Sequence, residues 1–435
     1  MELQAAIVLV ITFFFLLAMS APVSFSIIAS ALLTIIMFLS PGFGMFISAQ
    51  KLVGGIDSFT LLAVLLFILV GPLMSSCGIA QRLTNLAMLV HRKVPGSLAL
   101  TNIAGNAMFG SISGSGIAAA TAIGGVMNPL EKKQGYDEGF SAAVNIATAP
   151  VGQLIPPTTA FIVFSAASGG TSVATLFMAG WIPGLLWAGL CMIVAFFYGK
   201  KHGYIIKREK LTGSVILKTI WDAIPSLLLV VIIIGGILSG YFTPTEASGI
   251  AVVYAFLLSV FVYKSIKLKE IPAILVDTGV MTAVVMLIIG ASSILSFVLS
   301  FTGLPQAISN LLLGISDNKI VILLIINLIL LIVGTFMDMA PALLIFTPIF
   351  LPIATNLGMD PIPFGVMIVM NFSIGTVTPP VGSVLFVGCS VAKLQVEDVM
   401  KKLLPFFGAI LVALLFVTFI PALSTWLPSV LGLMG

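Results

Sequence analysis

Two Pro-Pro elements are the clearest candidates for binding chemistry in this sequence. Pro156-Pro157 and Pro379-Pro380 lie in apolar stretches, and a glycine, Gly152 or Gly375, precedes each by the same distance. Proline has no N–H and its ring clashes with the carbonyl one turn back, so each pair should interrupt a helix. An interrupted helix leaves C=O groups that suit a cation and N–H groups that suit an anion. We therefore expect Na⁺ at the carbonyls, with an ordinary proline kink as the alternative.

Polar side chains precede both interruptions. Thr148, Ser373 and Thr378 are candidates to add hydroxyl ligands to a cation site. Asn145 and Asn371 stand at nearly equivalent points before the two breaks and are candidates to reach a substrate.

A glycine-serine run lies between two basic pairs, Arg92-Lys93 and Lys132-Lys133. The 38 residues between these pairs include Phe109-Gly110-Ser111-Ile112-Ser113-Gly114-Ser115-Gly116. If both basic pairs are cytoplasmic, part of the intervening chain should be a re-entrant hairpin. Non-helical backbone at membrane depth persists only where protein or a polar cavity satisfies it. The hairpin turn would thus offer carbonyls and hydroxyls to an ion, and a small-residue packing face between helices is the alternative.

One acidic residue lies in the corresponding part of the second half. Asp338 aligns with Gly114, within an apolar stretch. A charge at mid-membrane costs roughly 2.5 to 3.5 kcal/mol, so we predict that Asp338 binds a cation or substrate, with a structural cap as the alternative. Glu246 follows Thr243-Pro244-Thr245 and is typical of a helix start, so we assign it a structural role.

These motifs belong to an internal duplication. Three elements recur in the same order at nearly constant spacing: Gly152 to Pro157 returns as Gly375 to Pro380 (offset 223), Gly110-Ser111 as Gly334-Thr335 (224), and Ala21-Pro22 as Thr243-Pro244 (222). A duplication in an apolar chain predicts a transporter with two repeats, residues 1–210 and 211–435.

Composition places both repeats in a lipid bilayer. Hydrophobic residues make up 60% of the chain and charged residues 8%, whereas soluble domains carry about 25% charged residues. We predict an all-α polytopic protein with about eleven transmembrane helices plus two re-entrant hairpins. The first apolar segment holds Glu2 and no early Lys or Arg, so we expect a first span rather than a cleaved signal peptide. Examples of predicted spans are Leu3 to Met19, Phe25 to Leu39, Ser58 to Met74, Leu176 to Tyr198, Ile224 to Tyr241 and Phe406 to Leu427.

The basic residues predict an inverted arrangement of the two repeats. Of 19 Lys and Arg residues, only Lys51 and Lys319 fall in loops assigned to the outside, which leaves 17 inside. The basic loops of one half match basic-poor segments of the other, so the repeats should have opposite topology. Both termini are then periplasmic, and the link at about residues 200–218 is cytoplasmic.

The sequence contains no motif for several other classes of function. No phosphate-binding Gly-x-x-x-x-Gly-Lys loop occurs, so the chain should not hydrolyse ATP. The two histidines, His91 and His202, are too far apart for a catalytic or metal constellation, and three unpaired cysteines predict neither disulfide nor metal cluster. The net charge of +4 reflects topology rather than nucleic-acid binding. We predict that the chain is not an enzyme and uses no cofactor.

Six motifs along the chain are similar to those of one known family. They are Gly55-Ile56-Asp57-Ser58-Phe59, Ser113-Gly114-Ser115, Gly152 to Pro157, Leu176 to Gly184, Phe242-Thr243-Pro244-Thr245-Glu246-Ala247 and Thr378-Pro379-Pro380-Val381-Gly382. With these motifs the sequence resembles the large membrane subunits of TRAP (tripartite ATP-independent periplasmic) transporters, over nearly the whole chain. It departs from them where the family usually has a glycine-glutamate pair and this chain has Gly71-Pro72, and at Thr158, where a serine is usual.

The resemblance implies an elevator-type transporter of the bacterial inner membrane, similar to the ion transporter superfamily, that imports an organic acid with Na⁺. Residues 97–170 and 320–392 would form its transport domain. Its implied partners are a small four-helix membrane subunit and a periplasmic substrate-binding protein. The first implied Na⁺ site comprises Ser111, Ser113, Ser115, Gly152, Ile155 and Pro156, and the second comprises Gly334, Asp338, Gly375, Thr378 and Pro379. The candidate substrate contacts between them are Ser113, Asn145, Thr148, Pro157, Asp338, Asn371 and Pro380.

The sequence leaves three functions open. The leading one is the TRAP subunit for a C4-dicarboxylate, a sialic acid or another sugar acid. The alternative is a self-sufficient Na⁺/carboxylate symporter of the same architecture, and a membrane-embedded enzyme is the third.

Overall fold

The computed structural model describes residues 2–39, 41–75, 78–91, 94–204, 212–316 and 318–434, and these residues contain helices and no strand. Helices suit a lipid environment because they satisfy their backbone groups internally. The first half contains α1 Glu2–Ala18, α2 Val23–Phe38, α3 Pro41–Ile56, α4 Phe59–Ser75, α5 Ile79–His91, α6 Ser97–Ser113, α7 Gly116–Lys133, α8 Glu138–Thr148, a 3₁₀ turn Ala149–Gln153, α9 Thr159–Ala167 and α10 Val173–Lys201. The second half contains α11 Gly213–Leu238, α12 Pro244–Leu257, a π-helical turn Leu258–Val262, α13 Ile271–Thr302, α14 Leu304–Ile315, α15 Lys319–Phe336, α16 Met339–Asn356, α17 Pro361–Gly375, α18 Ser383–Ala392, α19 Val396–Phe419 and α20 Ala422–Val430.

The prediction of an all-α polytopic membrane protein is confirmed. Within the described residues, seven helices are long and apolar enough to cross a membrane, or up to eight if the bent pair α3 and α4 counts as one span. This is fewer than the expected eleven crossings because several apolar helices, including α1, α2, α17 and α18, are shorter than 18 residues. The predicted span Phe406 to Leu427 is divided between two helices, because α19 ends at Phe419 and α20 starts after Pro421.

The two halves repeat the same order of elements. α6 and α7 form a helical hairpin that turns at Gly114 in a left-handed conformation, and α15 and α16 form its counterpart around Met337 and Asp338. An interrupted helix follows each hairpin, namely α8 to α9 in the first half and α17 to α18 in the second. Each half therefore contains a hairpin followed by an interrupted helix, and the division into two repeats stays a prediction.

Local sequence sets matching starts for the two interrupted helices. Asp137 Oδ1 accepts a hydrogen bond from Phe140 N at 2.7 Å, and Asp360 Oδ1 accepts one from Ile362 N at 2.8 Å. These N-caps lie 223 residues apart, and each satisfies an N–H group that the first helical turn leaves unpaired.

The two halves differ ahead of their hairpins. In the first half, α3 and α4 meet at a 58° bend, whereas the corresponding part of the second half is the long helix α13. The predicted structural role of Glu246 fits its position, since Thr243 and Glu246 form a capping box at the start of α12.

Segments predicted to be cytoplasmic contact one another. Lys402 Nζ lies 3.3 Å from Asp137 Oδ2 and 2.9 Å from Tyr198 OH, so the basic start of α19 meets the loop before α8 and the end of α10. Arg82 lies over the ring of Tyr263, 3.8 Å from its centroid, beside the next basic loop. These contacts group basic loops from both halves on one side of the fold.

Segments predicted to be periplasmic meet in the same way. Lys319 Nζ donates to Gly358 O at 3.4 Å, and Thr175 Oγ1 donates to Leu433 O at 3.2 Å. Several residues used in the topology prediction lie outside the described residues, namely Arg92, Lys93, Lys207, Arg208 and Lys210, and so does Cys77, one of the three cysteines.

Candidate functional site

Each hairpin touches the interrupted helix of its own half through a pair of glycines. In the first half, a Cβ added to Gly110 of α6 would lie 2.7 Å from Gly152 Cα in the 3₁₀ turn. In the second half, a Cβ added to Gly334 of α15 would lie 3.3 Å from Gly375 Cα at the end of α17. Ordinary carbon contacts are about 3.5 to 4.0 Å. Glycine thus brings each hairpin close to the backbone of the helix break.

A cavity of about 390 Å³ lies where the two halves meet. Both hairpin turns line it, with Ser113 and Ser115 from the first and Asp338 from the second. Thr159 and Ser383, which follow the two helix breaks, also line it. The cavity therefore draws on the hairpin and the interrupted helix of each repeat.

Four helices begin at this cavity. α7 starts after Ser115, α9 at Thr159, α16 after Asp338 and α18 at Ser383. Ser115 caps α7 through its hydroxyl at 3.3 Å from Ala118 N, whereas α16 and α18 begin without a side-chain cap. Helix N-termini carry partial positive charge and directed N–H groups. Their convergence favours a negatively charged group in the cavity.

Helices α4 and α13 form the opposite wall. Phe67 and Gly71 of α4 and Met281 and Val285 of α13 line the cavity. The site thus lies between the hairpin and helix-break elements on one side and two long apolar helices on the other. The predicted division into a moving and a fixed part follows this boundary and stays a prediction.

The hydroxyls predicted for the first Na⁺ site are bonded to nearby backbone. Ser111 Oγ donates to Met108 O at 2.8 Å, and Ser113 Oγ accepts from Ser115 N at 3.4 Å. On the other side of the glycine contact, Ile155 and Pro156 are buried at the break. The structure therefore brings the hairpin end and the break together, and both carbonyl oxygens and the lone pairs of donating hydroxyls such as Ser111 are possible ligands there.

The second predicted site is more open. Asp338 lines the cavity at the start of α16 and makes no capping hydrogen bond. Thr378 Oγ1 donates to Ile374 O at 2.7 Å. Pro379 is half-buried and Pro380 is exposed, whereas both prolines of the first break are buried.

Unpaired buried oxygens lie close to this second break. The Ser373 hydroxyl and Asn371 Oδ1 are fully buried on α17 and have no hydrogen-bond partner. A buried polar atom without a partner costs about 1 to 3 kcal/mol. A bound cation would remove that cost, so the residues before the break fit the predicted Na⁺.

Three predicted substrate contacts are instead part of buried hydrogen-bond networks. Asn106 Nδ2 donates to Asn145 Oδ1 at 3.1 Å and to Thr148 Oγ1 at 3.0 Å. Asn371 Nδ2 donates to Asn327 Oδ1 at 2.7 Å. Asn145, Thr148 and Asn371 do not line the cavity in this structure, and neither do Pro157 and Pro380. Their contact with a substrate stays a prediction.

Sequence reasoning missed several residues that line the cavity. Gln153 and Thr376 both do so, and they are 223 residues apart. The duplication that relates the two helix breaks could have identified this pair. Phe67 and Met281 gave no such signal because they lie in uniformly apolar helices.

Other kinds of site find no support in the described part of the chain. It contains no cluster of three or more His, Cys, Asp or Glu residues that could hold a metal ion. Cys191 and Cys389 are buried free thiols.

Comparison with known proteins relates this chain to one transporter family. The family model for the "Tripartite ATP-independent periplasmic transporter, DctM component" matches residues 10–423. The chain is 48% identical to protein YgiK of Salmonella typhimurium, over 97% of both chains. It is 37% identical to the sialic acid TRAP transporter large permease protein SiaM of Vibrio cholerae, over 95% of this chain and 96% of that protein.

One further relative and one solved structure are also similar to this chain. The C4-dicarboxylate TRAP transporter large permease protein DctM of Rhodobacter capsulatus is 35% identical, with 88% of this chain and 90% of that protein covered. Among solved structures, the YdaH transporter of Alcanivorax borkumensis matches with a TM-score of 0.62 and 16% identity, over 89% of each chain. At that identity the match shows a shared fold.

Proposed function

This chain belongs to the DctM component family of tripartite ATP-independent periplasmic transporters, and we propose that it is the large permease subunit of a Na⁺-driven importer of an organic acid. As a family member it is a multi-pass protein of the inner membrane. The N- and C-termini are proposed to be periplasmic.

The convergence of four helix N-termini on one cavity carries this proposal. Among the described residues that line the cavity, Asp338 alone is charged, and none is Lys, Arg or His. The charge of an organic anion must therefore be balanced by helix N-termini and co-bound cations. Such a site suits a carboxylate that enters together with Na⁺.

Na⁺ is proposed to bind at the two helix breaks, each held against its hairpin by a glycine pair. The second site combines Asp338 with the carbonyls near Gly375 and with the unpaired oxygen of Ser373. Because the motif occurs twice, more than one Na⁺ should move with each substrate.

The relatives suggest two substrate classes, sialic acid and C4-dicarboxylates. We propose an organic acid in this range, including other sugar acids. A periplasmic binding protein would deliver it, and a small membrane subunit would extend the fixed part of an elevator. Exposed apolar side chains such as Phe14, Phe15 and Trp221 are available to lipid or to such a subunit.

The test is uptake into proteoliposomes that contain this chain with or without its two partners. We expect uptake of sialic acid or a C4-dicarboxylate only when both partners and an inward Na⁺ gradient are present, without ATP. Full uptake by the chain alone would favour the self-sufficient symporter. Unchanged uptake when K⁺ replaces Na⁺ would contradict Na⁺ coupling.

A further inference from the structure

A single carboxyl group is buried at the base of the first hairpin. Glu131 lies near the end of α7, next to the exposed Lys132 and Lys133, and its exposed fraction is 0%. α7 is not among the helices long and apolar enough to cross the membrane. The carboxyl is thus enclosed by protein at the edge of the fold that we assign to the cytoplasm.

The polar contacts of this carboxyl are too few for a charge. Asn102 Nδ2 donates to Glu131 Oε1 at 3.5 Å. Ser141 of α8 lies beside the same carboxyl, yet neither its hydroxyl nor Glu131 Oε2 has a hydrogen-bond partner. An ionised carboxylate in such surroundings is costly unless it is paired. A proton on Oε2 would remove that charge, and Ser141 Oγ is then the candidate acceptor for it.

No positive group among the described residues pairs with Glu131. Lys132 bonds to Glu138 at 2.9 Å, and Lys402 bonds to Asp137 at 3.3 Å. Lys133, on the same helix, is exposed. Within the described part of the chain, the cost of an ionised Glu131 is therefore not offset by a neighbouring charge.

Other titratable groups lie on the elements that pack against α7. α5 contributes Arg82, which lies over Tyr263, and His91, whose pKa is lowered by burial. α18 contributes the buried thiol of Cys389. α6 and the 3₁₀ turn contribute none. In the loop before α8, burial raises the pKa of Tyr136 to about 12, so this phenol stays neutral over the working range.

The fold does not require a carboxyl at this place. With the 224-residue offset of the hairpins, Glu131 corresponds to Thr355 at the base of the second hairpin. Thr355 is exposed, and its hydroxyl donates to Leu351 O at 3.0 Å. The second hairpin thus closes without an acidic group, so the carboxyl is a feature specific to the first repeat.

Hydrogen bonds between buried side chains also link the Glu131 carboxyl to the first helix break. Asn102 Oδ1 accepts from Asn106 Nδ2 at 3.0 Å, and Asn106 in turn bonds to Asn145 and Thr148. A continuous chain of buried side chains therefore runs from Glu131 to the end of α8, four residues before Gly152.

We propose that Glu131 is a proton-binding site, whose neutral acid form keeps the base of the first hairpin closed at neutral pH. Loss of the proton at alkaline pH places an unpaired charge between α6, α7 and α8 and loosens their packing. The direction in which stability changes with pH follows from the difference in bound protons between the folded and the unfolded state. An unfolded glutamate ionises near pH 4.3, so the folded protein holds one proton more above that pH, and stability falls as pH rises until Glu131 ionises.

The test compares purified wild-type protein with Glu131→Gln, a neutral variant of nearly the same shape, by infrared spectroscopy and thermal unfolding. At neutral pH we expect wild type to show the carbonyl stretch of a protonated carboxylic acid, the variant to lack it, and the variant to unfold at the same or a higher temperature, because the unfolded wild-type chain has already released its proton. As pH rises, the folded-to-unfolded ratio of wild type should fall relative to the variant by up to about tenfold per pH unit. Glu138→Gln is the matched control, because this carboxyl is exposed and paired with Lys132, and it should leave the infrared band and the alkaline slope unchanged.

Two results would overturn the proposal. One is a protonated-carboxyl band that persists in Glu131→Gln. The other is a variant that is strongly destabilised at neutral pH or keeps the wild-type alkaline slope. Ser141→Ala gives an independent measurement in a protein that retains the acid: the band should shift because its hydrogen bond is lost, and an unshifted band would contradict the assigned Oε2–H donor.

Discussion

Replacing Gly152 by alanine should separate the first hairpin from its helix break. A Cβ at this position would overlap the backbone of Gly110 and lie 2.7 Å from Ser111 N. Since normal contacts are about 3.5 to 4.0 Å, the two segments would have to move apart by about 1.5 Å. Both neighbours are backbone, so no side chain can rotate away.

The expected cost is about 1 to 3 kcal/mol, the usual range for overpacking a tight core. The displacement also moves Ser111 to Ser115 away from the carbonyls near Gly152, so Na⁺ binding at the first site should be lost. Thermal unfolding of the purified protein in NaCl and in KCl measures both effects, because a ligand that binds the folded state raises its stability. We expect a lower unfolding temperature in both salts and a smaller gain from Na⁺.

The control is Gly125→Ala in α7, where an added Cβ meets nothing within 4 Å. There alanine should be neutral or stabilising by about 0.5 to 1 kcal/mol, because it lowers the entropy cost of the helix. The double variant Gly110→Ala with Gly152→Ala should cost less than the sum of the single variants, since both open the same contact. If Gly152→Ala unfolds like Gly125→Ala and keeps its response to Na⁺, the proposed close approach does not shape the site.

Three further predictions concern the second site, the buried network and the topology. Asp338→Asn should raise the Na⁺ concentration needed for uptake without lowering the unfolding temperature in KCl, and an unchanged Na⁺ requirement would make Asp338 structural. Asn106→Ala should destabilise the fold by about 1 to 3 kcal/mol for each partner left unpaired, as measured by thermal unfolding, whereas exposed Asn85→Ala should stay within about 0.5 kcal/mol. In a cysteine-free background, a cysteine at Lys201 should react only with cytoplasmic thiol reagents and one at Ser316 only with external ones, and labelling of both from one side would refute the inverted topology.

Much of the architecture is already present in the sequence because it rests on local rules. Low charge and long apolar runs require helices in lipid, the two Pro-Pro pairs interrupt the helices that contain them, and Asp137 and Asp360 mark the starts of the interrupted helices. The constant offset between Gly110 and Gly334 was enough to predict two equivalent hairpins. The bounds of short elements such as α20 were not predicted, because hydropathy continues across Pro421.

The side-chain environments depended on tertiary structure. Asn145, Thr148 and Asn371 are predicted substrate contacts, and only the structure shows that they also bond to Asn106 and Asn327 inside the protein. Glu131 stands beside two exposed lysines in the sequence, yet it is completely buried against α6 and α8. A helix in an apolar chain has few polar positions to show which face is inside. Sequence therefore determines where the helices break and in what order, whereas contacts between distant segments decide which polar groups face the cavity and which are enclosed.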